Sequence, residues 1–140
     1  MLWSIFLSAL CMIESSGNPK AIGDIHRQHA AYGIVQITSP CLQDVNRIYK
    51  QDVKKTFGRT LVHKDMLDPE KALWVCEKYL TFYGKQYTKA TGKEPTARIY
   101  CAIWNAGPQG YKRLALTDKY WKRFSEIYKQ IEKQQAKETS

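Results

Sequence analysis

The sequence predicts a mainly α fold in one domain, and three observations predict it. Apolar residues recur at helical spacing in five stretches, each bounded by residues that start or stop helices. Strand potential is confined to one short run, AAYGIVQI at 30–37. The 140 residues suffice to bury a single substantial core, and no linker or internal repeat divides them. The domain is assigned to residues 1–131, and the polar stretch 132–140 is expected to fray as a C-terminal tail.

The first helix is predicted over 2–14. It is apolar almost all round, with Ser4 and Ser8 one turn apart, which suits a central buried helix enclosed by others. Gly17 and Pro19 end it. Residues 20–29 are polar and irregular, and Gly33 inside the run 30–37 leaves a brief strand and a tight turn both open. Ser39 as N-cap and Pro40 as first helical residue start the next helix, with Leu42, Val45, Ile48 and Tyr49 on one face and an end near 50–53. Asp68 and Pro69 repeat the start signal for a long helix that stops near Gly92; its inner face carries Ala72, Leu73, Cys76, Leu80 and Tyr83. Pro95 opens ARIYCAIWN, halted by Gly107 and Pro108. Thr117 or Asp118 caps a last helix with Trp121, Phe124, Ile127, Tyr128 and Ile131 facing inward.

A hydrophobic fraction of 44% and a charged fraction of 25% are those of a globular protein. The net charge of +9 suits an anionic partner, whether nucleic acid, lipid or cell-wall polymer, although basic residues spread along KQDVKK and KYWKRF also fit solvated helix faces. No nucleic-acid motif is present, so nucleic acid is not expected as a partner. Residues 1–13 fall short of the ~20 apolar residues that span a bilayer. No Lys or Arg precedes them and no small-residue cleavage pattern follows, so neither stable membrane insertion nor a signal peptide is expected in this chain. Cys11, Cys41, Cys76 and Cys101 lack the paired short spacing of a zinc site, and no metal or cofactor is expected. Buried free thiols and two disulfides are both open. His26 and His29 read as solvated loop histidines, and no serine is specified as an activated nucleophile.

Glu14 stands out because it closes a long apolar run and is followed at once by serines, a glycine and a proline. A buried carboxylate loses hydration and must be paired or protonated. Burial against apolar groups raises a carboxyl pKa above the model glutamate value of ~4.3, and the negative end of a helix adds to the effect. Both keep a proton available to a general acid near working pH. If the other helices pack around 2–14, Glu14 emerges at a groove.

Four stretches then fall in a telling order: Glu14-Ser15-Ser16 with Pro19; Gly33-Ile34-Val35-Gln36-Ile37; Ala102-Ile103-Trp104-Asn105-Ala106-Gly107; and Tyr120-Trp121. Together they resemble the ES…P, GLMQI, AYNAG and late-tyrosine motifs of the soluble lytic transglycosylase (SLT) and goose-type lysozyme superfamily, over residues 2–124. WNAGPQGYK and KYWKRF are also similar to small phage-type and conjugation-type wall-degrading domains. The resemblance implies a lysozyme-like single domain with an active-site groove and with Glu14 as catalytic acid and base. Val35 stands where the family has methionine, and Ile103-Trp104 replaces the usual pair before the asparagine.

By the same resemblance Asp24, in IGD, matches an aspartate that helps hold water in goose-type lysozymes, and a loop-capping role is equally open. The further aspartate of those hydrolases corresponds to Thr38 here. Gln36 and Asn105 would offer amides to saccharide hydroxyl and N-acetyl groups, or serve as turn and helix-end amides. Tyr120 would orient the acid or pack in the core. Tyr32 and Trp104 would stack on sugars or on core neighbours. Ser15 is grouped with the substrate-binding residues.

The expected function is cleavage of the β-1,4 bond between N-acetylmuramic acid and N-acetylglucosamine in peptidoglycan by a lytic transglycosylase giving 1,6-anhydro products. The alternatives are a goose-type hydrolase (muramidase) of the same bond and, from another class, a non-catalytic wall-binding or scaffold domain. The implied partner is the glycan strand, the implied site of action the periplasm, cell wall or extracellular space. A monomer is expected, and the phage-type likeness implies a larger phage or secretion assembly as one setting.

Overall fold

The computed structural model describes residues 3–25 and 28–139. Among them the chain forms α1 (Trp3–Ser15), β1 (Ile22–Gly23), β2 (Ala31–Tyr32), β3 (Ile37–Thr38), α2 (Ser39–Ile48), α3 (Lys50–Phe57), α4 (Pro69–Thr91), α5 (Ala97–Ala106) and α6 (Asp118–Thr139), with 3-10 turns at His63–Leu67 and Gly110–Lys112. The fold is mainly α, as the periodicity predicts. Where the sequence suggests one helix ending near 50–53, the chain breaks at Tyr49 (φ −109°, ψ 33°) and resumes as α3. The chain divides into two compact units, Met1–Ile13 with Leu80–Ser140, and Glu14–Tyr79.

In the first unit, Ile5, Phe6, Ala9, Leu10 and Cys11 are buried on α1. Ser4, Ser8 and Met12, spaced four apart, form an exposed stripe, so α1 is not enclosed all round. Phe6 centres an aromatic cluster, its ring 5.5 Å from Trp3, 6.0 Å from Tyr100 and 4.9 Å from Phe124. Thr96 caps α5 by accepting the Ile99 N–H at 3.3 Å, one residue after the Pro95 start signal. On α6 only Phe124 of the expected inward face is buried; Trp121, Ile127, Tyr128 and Ile131 each keep part of their surface in solvent. Residues 132–139, expected as a frayed tail, continue α6 in helical form, because Glu, Lys, Gln and Ala are strong helix formers.

In the second unit, the run 30–37 proves to hold both strand and turn. The sheet has order β1-β2-β3 and is antiparallel throughout, with Ile22 opposite Tyr32 and Tyr32 opposite Ile37. α2 starts one residue earlier than Ser39-Pro40 suggests, with Thr38 at the N-cap. Beyond α3, Arg59 grips the Asp65 carboxylate through two bonds of 2.7 Å, and the same carboxylate accepts the Val62 N–H at 2.7 Å. This clasp shapes the His63–Leu67 turn and, with the Arg59 hydrogen bonds as the largest cause, holds the Asp65 carboxyl down to about 2.

All four cysteines are free thiols. Burial pushes Cys11 up to about 11 and Cys41 up to about 12, so both stay protonated and unreactive near neutral pH.

Asp65 is depressed in the folded chain, so its stabilising effect is present above the ordinary carboxylate value of 3.8 and is lost as pH falls through about 2. Asp65→Asn should therefore melt below the parent protein at pH 7, with the gap shrinking in acid and closing near pH 2. Thermal melts of both proteins across that range check it; a gap independent of pH would show that the clasp acts through packing instead.

Candidate functional site

Glu14 and Ser15 are the last two residues of α1, and the chain turns away through Ser16 (φ +54°) and Gly17 (φ +79°). Glu14 is half-buried, and its place in the last turn exposes it to the helix's negative end. The Ser15 hydroxyl donates to the Ile34 carbonyl at 2.7 Å, nineteen residues ahead. Ile34 lies in the turn 33–36, which the Gln36 N–H closes on the Gly33 carbonyl at 3.1 Å. Gln36 itself is left-handed (φ +58°), an uncommon state for a residue with a long side chain. Its side-chain amide compensates: Nε2 donates to the carbonyls of Gly33 at 3.0 Å and Ala21 at 3.2 Å.

Gly33 completes this network. Its N–H donates to the Ala21 carbonyl at 2.8 Å. With φ at +88°, and with a Cβ certain to collide with the Met66 carbonyl, the position admits only glycine. Ser15 and Gln36 are thus drawn to a single turn, and both Nε2 hydrogens of Gln36 are spent on backbone.

Tyr32, on β2, stacks flat on His63 with ring centroids 4.0 Å apart and planes 3° from parallel. His63 Nε2 lies 2.7 Å from the Ile37 carbonyl; a carbonyl can only accept, so Nε2 carries the proton. One face of the half-buried Tyr32 ring is therefore taken by histidine. Sequence reasoning misses His63 altogether, since 31 residues separate the pair and no local pattern marks it. Asp24 is exposed just after β1 in a left-handed conformation (φ +56°) that aspartate tolerates better than most residues. His29 is exposed, whereas its partner by spacing, His26, lies outside the described residues.

In the other unit, Trp104 and Asn105 close α5, which stops as the Gly107 N–H returns to the Ile103 carbonyl at 2.9 Å. Ile103 is fully buried, Trp104 half-buried and Asn105 exposed. Of the unusual pair before the asparagine, only Trp104 can meet a ligand. Tyr120 is half-buried in the first turn of α6, which packs on α5. Among the described residues, no group of three His, Cys, Asp or Glu side chains is placed to hold a metal.

The sequence profile of the transglycosylase SLT domain matches residues 1–127. The chain belongs to that family. No individual protein of curated function matches it. The family is that of the peptidoglycan lytic transglycosylases, within the lysozyme-like superfamily, and its substrate, peptidoglycan, implies action in the periplasm or cell wall. No helix among the described residues is long and apolar enough to cross a membrane. The family's motifs acquire physical content in this SLT domain: the serine after the glutamate and the glutamine of the second motif serve one turn.

Replacing Gln36 by leucine keeps the bulk and removes both side-chain donors, leaving the Ala21 and Gly33 carbonyls with their backbone partners alone. The expected loss of stability is about 1–3 kcal/mol, the scale of two lost hydrogen bonds. Urea unfolding measures it. Full stability with lost activity would mean that the amide serves the ligand and not the turn.

Proposed function

We propose that this SLT domain cleaves the β-1,4 bond between N-acetylmuramic acid and N-acetylglucosamine, with Glu14 as the single catalytic carboxyl. The observation that carries the reading is the position of Glu14 in the last turn of α1, beside a serine bonded to the Ile34 carbonyl. Protonated Glu14 gives its proton to the glycosidic oxygen as the bond to the anomeric carbon breaks. The N-acetyl oxygen of the same muramyl residue attacks that carbon from the other side. Glu14, now a carboxylate, takes the proton of the muramyl 6-hydroxyl, whose oxygen displaces the acetamido group and closes the 1,6-anhydro ring. No water is consumed, and Glu14 ends in the state in which it began.

Asn105 and Trp104 would bind substrate amides and sugar faces, Tyr120 would orient the acid, and Tyr32 would offer the ring face that His63 leaves uncovered. Gln36 and Ser15 would act through the turn. The basic charge of the chain suits an anionic wall polymer. The protein would act as a monomer on glycan strands in the periplasm, the wall or outside the cell, within a larger phage or secretion assembly in one setting. Nucleic acid is not its partner on this reading.

Glu14→Gln should stay folded and lose at least ~10²-fold of its lytic rate on purified sacculi, the scale of a missing general acid and base. Comparable lysis by the folded variant would overturn the assignment of Glu14, and a parent chain that binds sacculi without lysing them would leave the fold as a wall-binding scaffold.

The products test the rest. By the motif resemblance, Thr38, which ends β3 and is the N-cap of α2, offers a hydroxyl where the hydrolase pattern has a carboxylate. An intramolecular acetamido group outcompetes loosely held water by effective concentration. Mass spectrometry of released muropeptides should find mainly anhydro ends, and Asp24→Asn should cost far less activity than Glu14→Gln. Mainly reducing ends, with Asp24→Asn as damaging as the Glu14 change, would make this a lysozyme.

A further inference from the structure

A concave surface lies in the unit of Met1–Ile13 and Leu80–Ser140. Phe82, Tyr83, Gln86 and Ala90 of α4 form one wall of a cleft of about 360 Å³, and Pro108, Gln109 and Tyr111 form the other. Its volume falls in the range of small-ligand clefts, from about 300 Å³ upward. No charged residue lines it, although the chain carries 35 Lys, Arg, Asp and Glu residues, 22 basic and 13 acidic. Three aromatic rings and two side-chain amides are what remain.

The Tyr111 wall is held rigid. Gly110 lies so close to Ala102 that a Cβ would collide with the Ala102 carbonyl, which presses the 3-10 turn onto α5. The turn is closed by the Gly110 N–H on the Gly107 carbonyl at 2.8 Å and the Lys112 N–H on the Gln109 carbonyl at 3.0 Å. The buried Tyr87 ring meets Tyr111 nearly edge-on at 5.0 Å, and the Lys112 ammonium lies 5.8 Å from the Tyr111 ring centre. Gln86 and Gln109 are exposed, and neither side-chain amide is hydrogen-bonded to another described residue. Each therefore keeps two donors and an acceptor for a ligand.

We infer that this cleft is an accessory saccharide-binding site that takes an N-acetylated hexosamine unit of a glycan strand, separate from the residues assigned to bond cleavage. A pyranose offers apolar C–H faces to rings and hydroxyl and acetamido groups to amides, which is the complement of this lining. A charged ligand would find no countercharge among the lining residues. The inference takes its substrate class from the proposed function but not its chemistry, since Glu14 has no part in it. Its use would be to hold the polymer while the reacting bond is engaged, raising the local concentration of substrate.

The test is an NMR titration of the full isotope-labelled chain with chitotetraose, a neutral N-acetylglucosamine oligomer, beside a free wall tetrapeptide. The amides of Phe82, Tyr83, Gln86, Gln109 and Tyr111 should shift with the sugar and not with the peptide. Gln86→Ala, Gln109→Ala and Tyr111→Leu should each weaken that binding at least about fivefold, the scale of one lost aromatic or amide contact. The two glutamine variants alter exposed side chains and keep the fold, so they decide the matter even if Tyr111→Leu loosens the turn. Shifts confined to residues 14–36 and to Trp104, Asn105 and Tyr120 with the cleft silent, shifts with the peptide instead, or affinity unchanged in both glutamine variants would overturn the inference. Loss of lysis in Glu14→Gln would leave these shifts in place, so this inference and the catalytic reading fail separately.

Discussion

The hydrogen bond from the Ser15 hydroxyl to the Ile34 carbonyl is the contact on which the Glu14–Tyr79 unit turns. A helix ends with carbonyls that lack intrahelical partners and with a chain free to leave in many directions. Here the last residue of α1 is tied to a turn far along the sequence, and that turn is itself held from three sides. Gln36 Nε2 and the Gly33 N–H meet on the Ala21 carbonyl, and Met66 closes over Gly33. Each bond contributes only about 1 kcal/mol net. Their shared acceptor makes them act together, because loosening one member exposes the polar groups of the others.

Gln36 illustrates how strain and function meet. A left-handed glutamine stores a cost of about 1–3 kcal/mol. The fold offsets it by folding the side-chain amide back onto the backbone that the left-handed turn exposes. A methionine or leucine could fill the volume and could not satisfy two carbonyls. A glycine could relax the backbone and would lose the amide. The residue type follows from both demands at once, and neither is visible from hydropathy.

Much of this was legible in the sequence where the determinant is local. Asp68-Pro69 starts α4, Gly92 marks its end, and the spacing of apolar residues on α5 predicts its burial, because caps and periodicity act over a few residues. Where the determinant is distant, the sequence was silent. Nothing near His63 announces that its ring will cover Tyr32, and nothing near Arg59 announces a bidentate clasp on Asp65. The tail 132–139 misleads for another reason: a polar stretch lacks the amphipathic pattern of a packed helix but retains the intrinsic propensity to continue one. The order of the four motifs carried the family and the place of Glu14, whereas the division of labour between Gln36, Tyr32 and Asn105 needed coordinates.

That division bears on how one carboxyl could suffice. On the proposed mechanism the nucleophile belongs to the substrate, so the protein need not hold a water or a second acid, and its task is to hold the glycan with the acetamido group in line with the anomeric carbon. Alignment of this kind demands rigidity more than additional charge. The hydrogen bonds of Ser15 and Gln36 and the close approach of Gly33 to Met66 stiffen the turn tied to the end of α1, and the stack of His63 on Tyr32 stiffens the strand that leads into that turn. A hydrolase must also polarise water, and by the motif resemblance Thr38 would bring a hydroxyl and no charge to that task. On that proposal, a stiff turn beside Glu14 suits a ring-closing transfer better than hydrolysis.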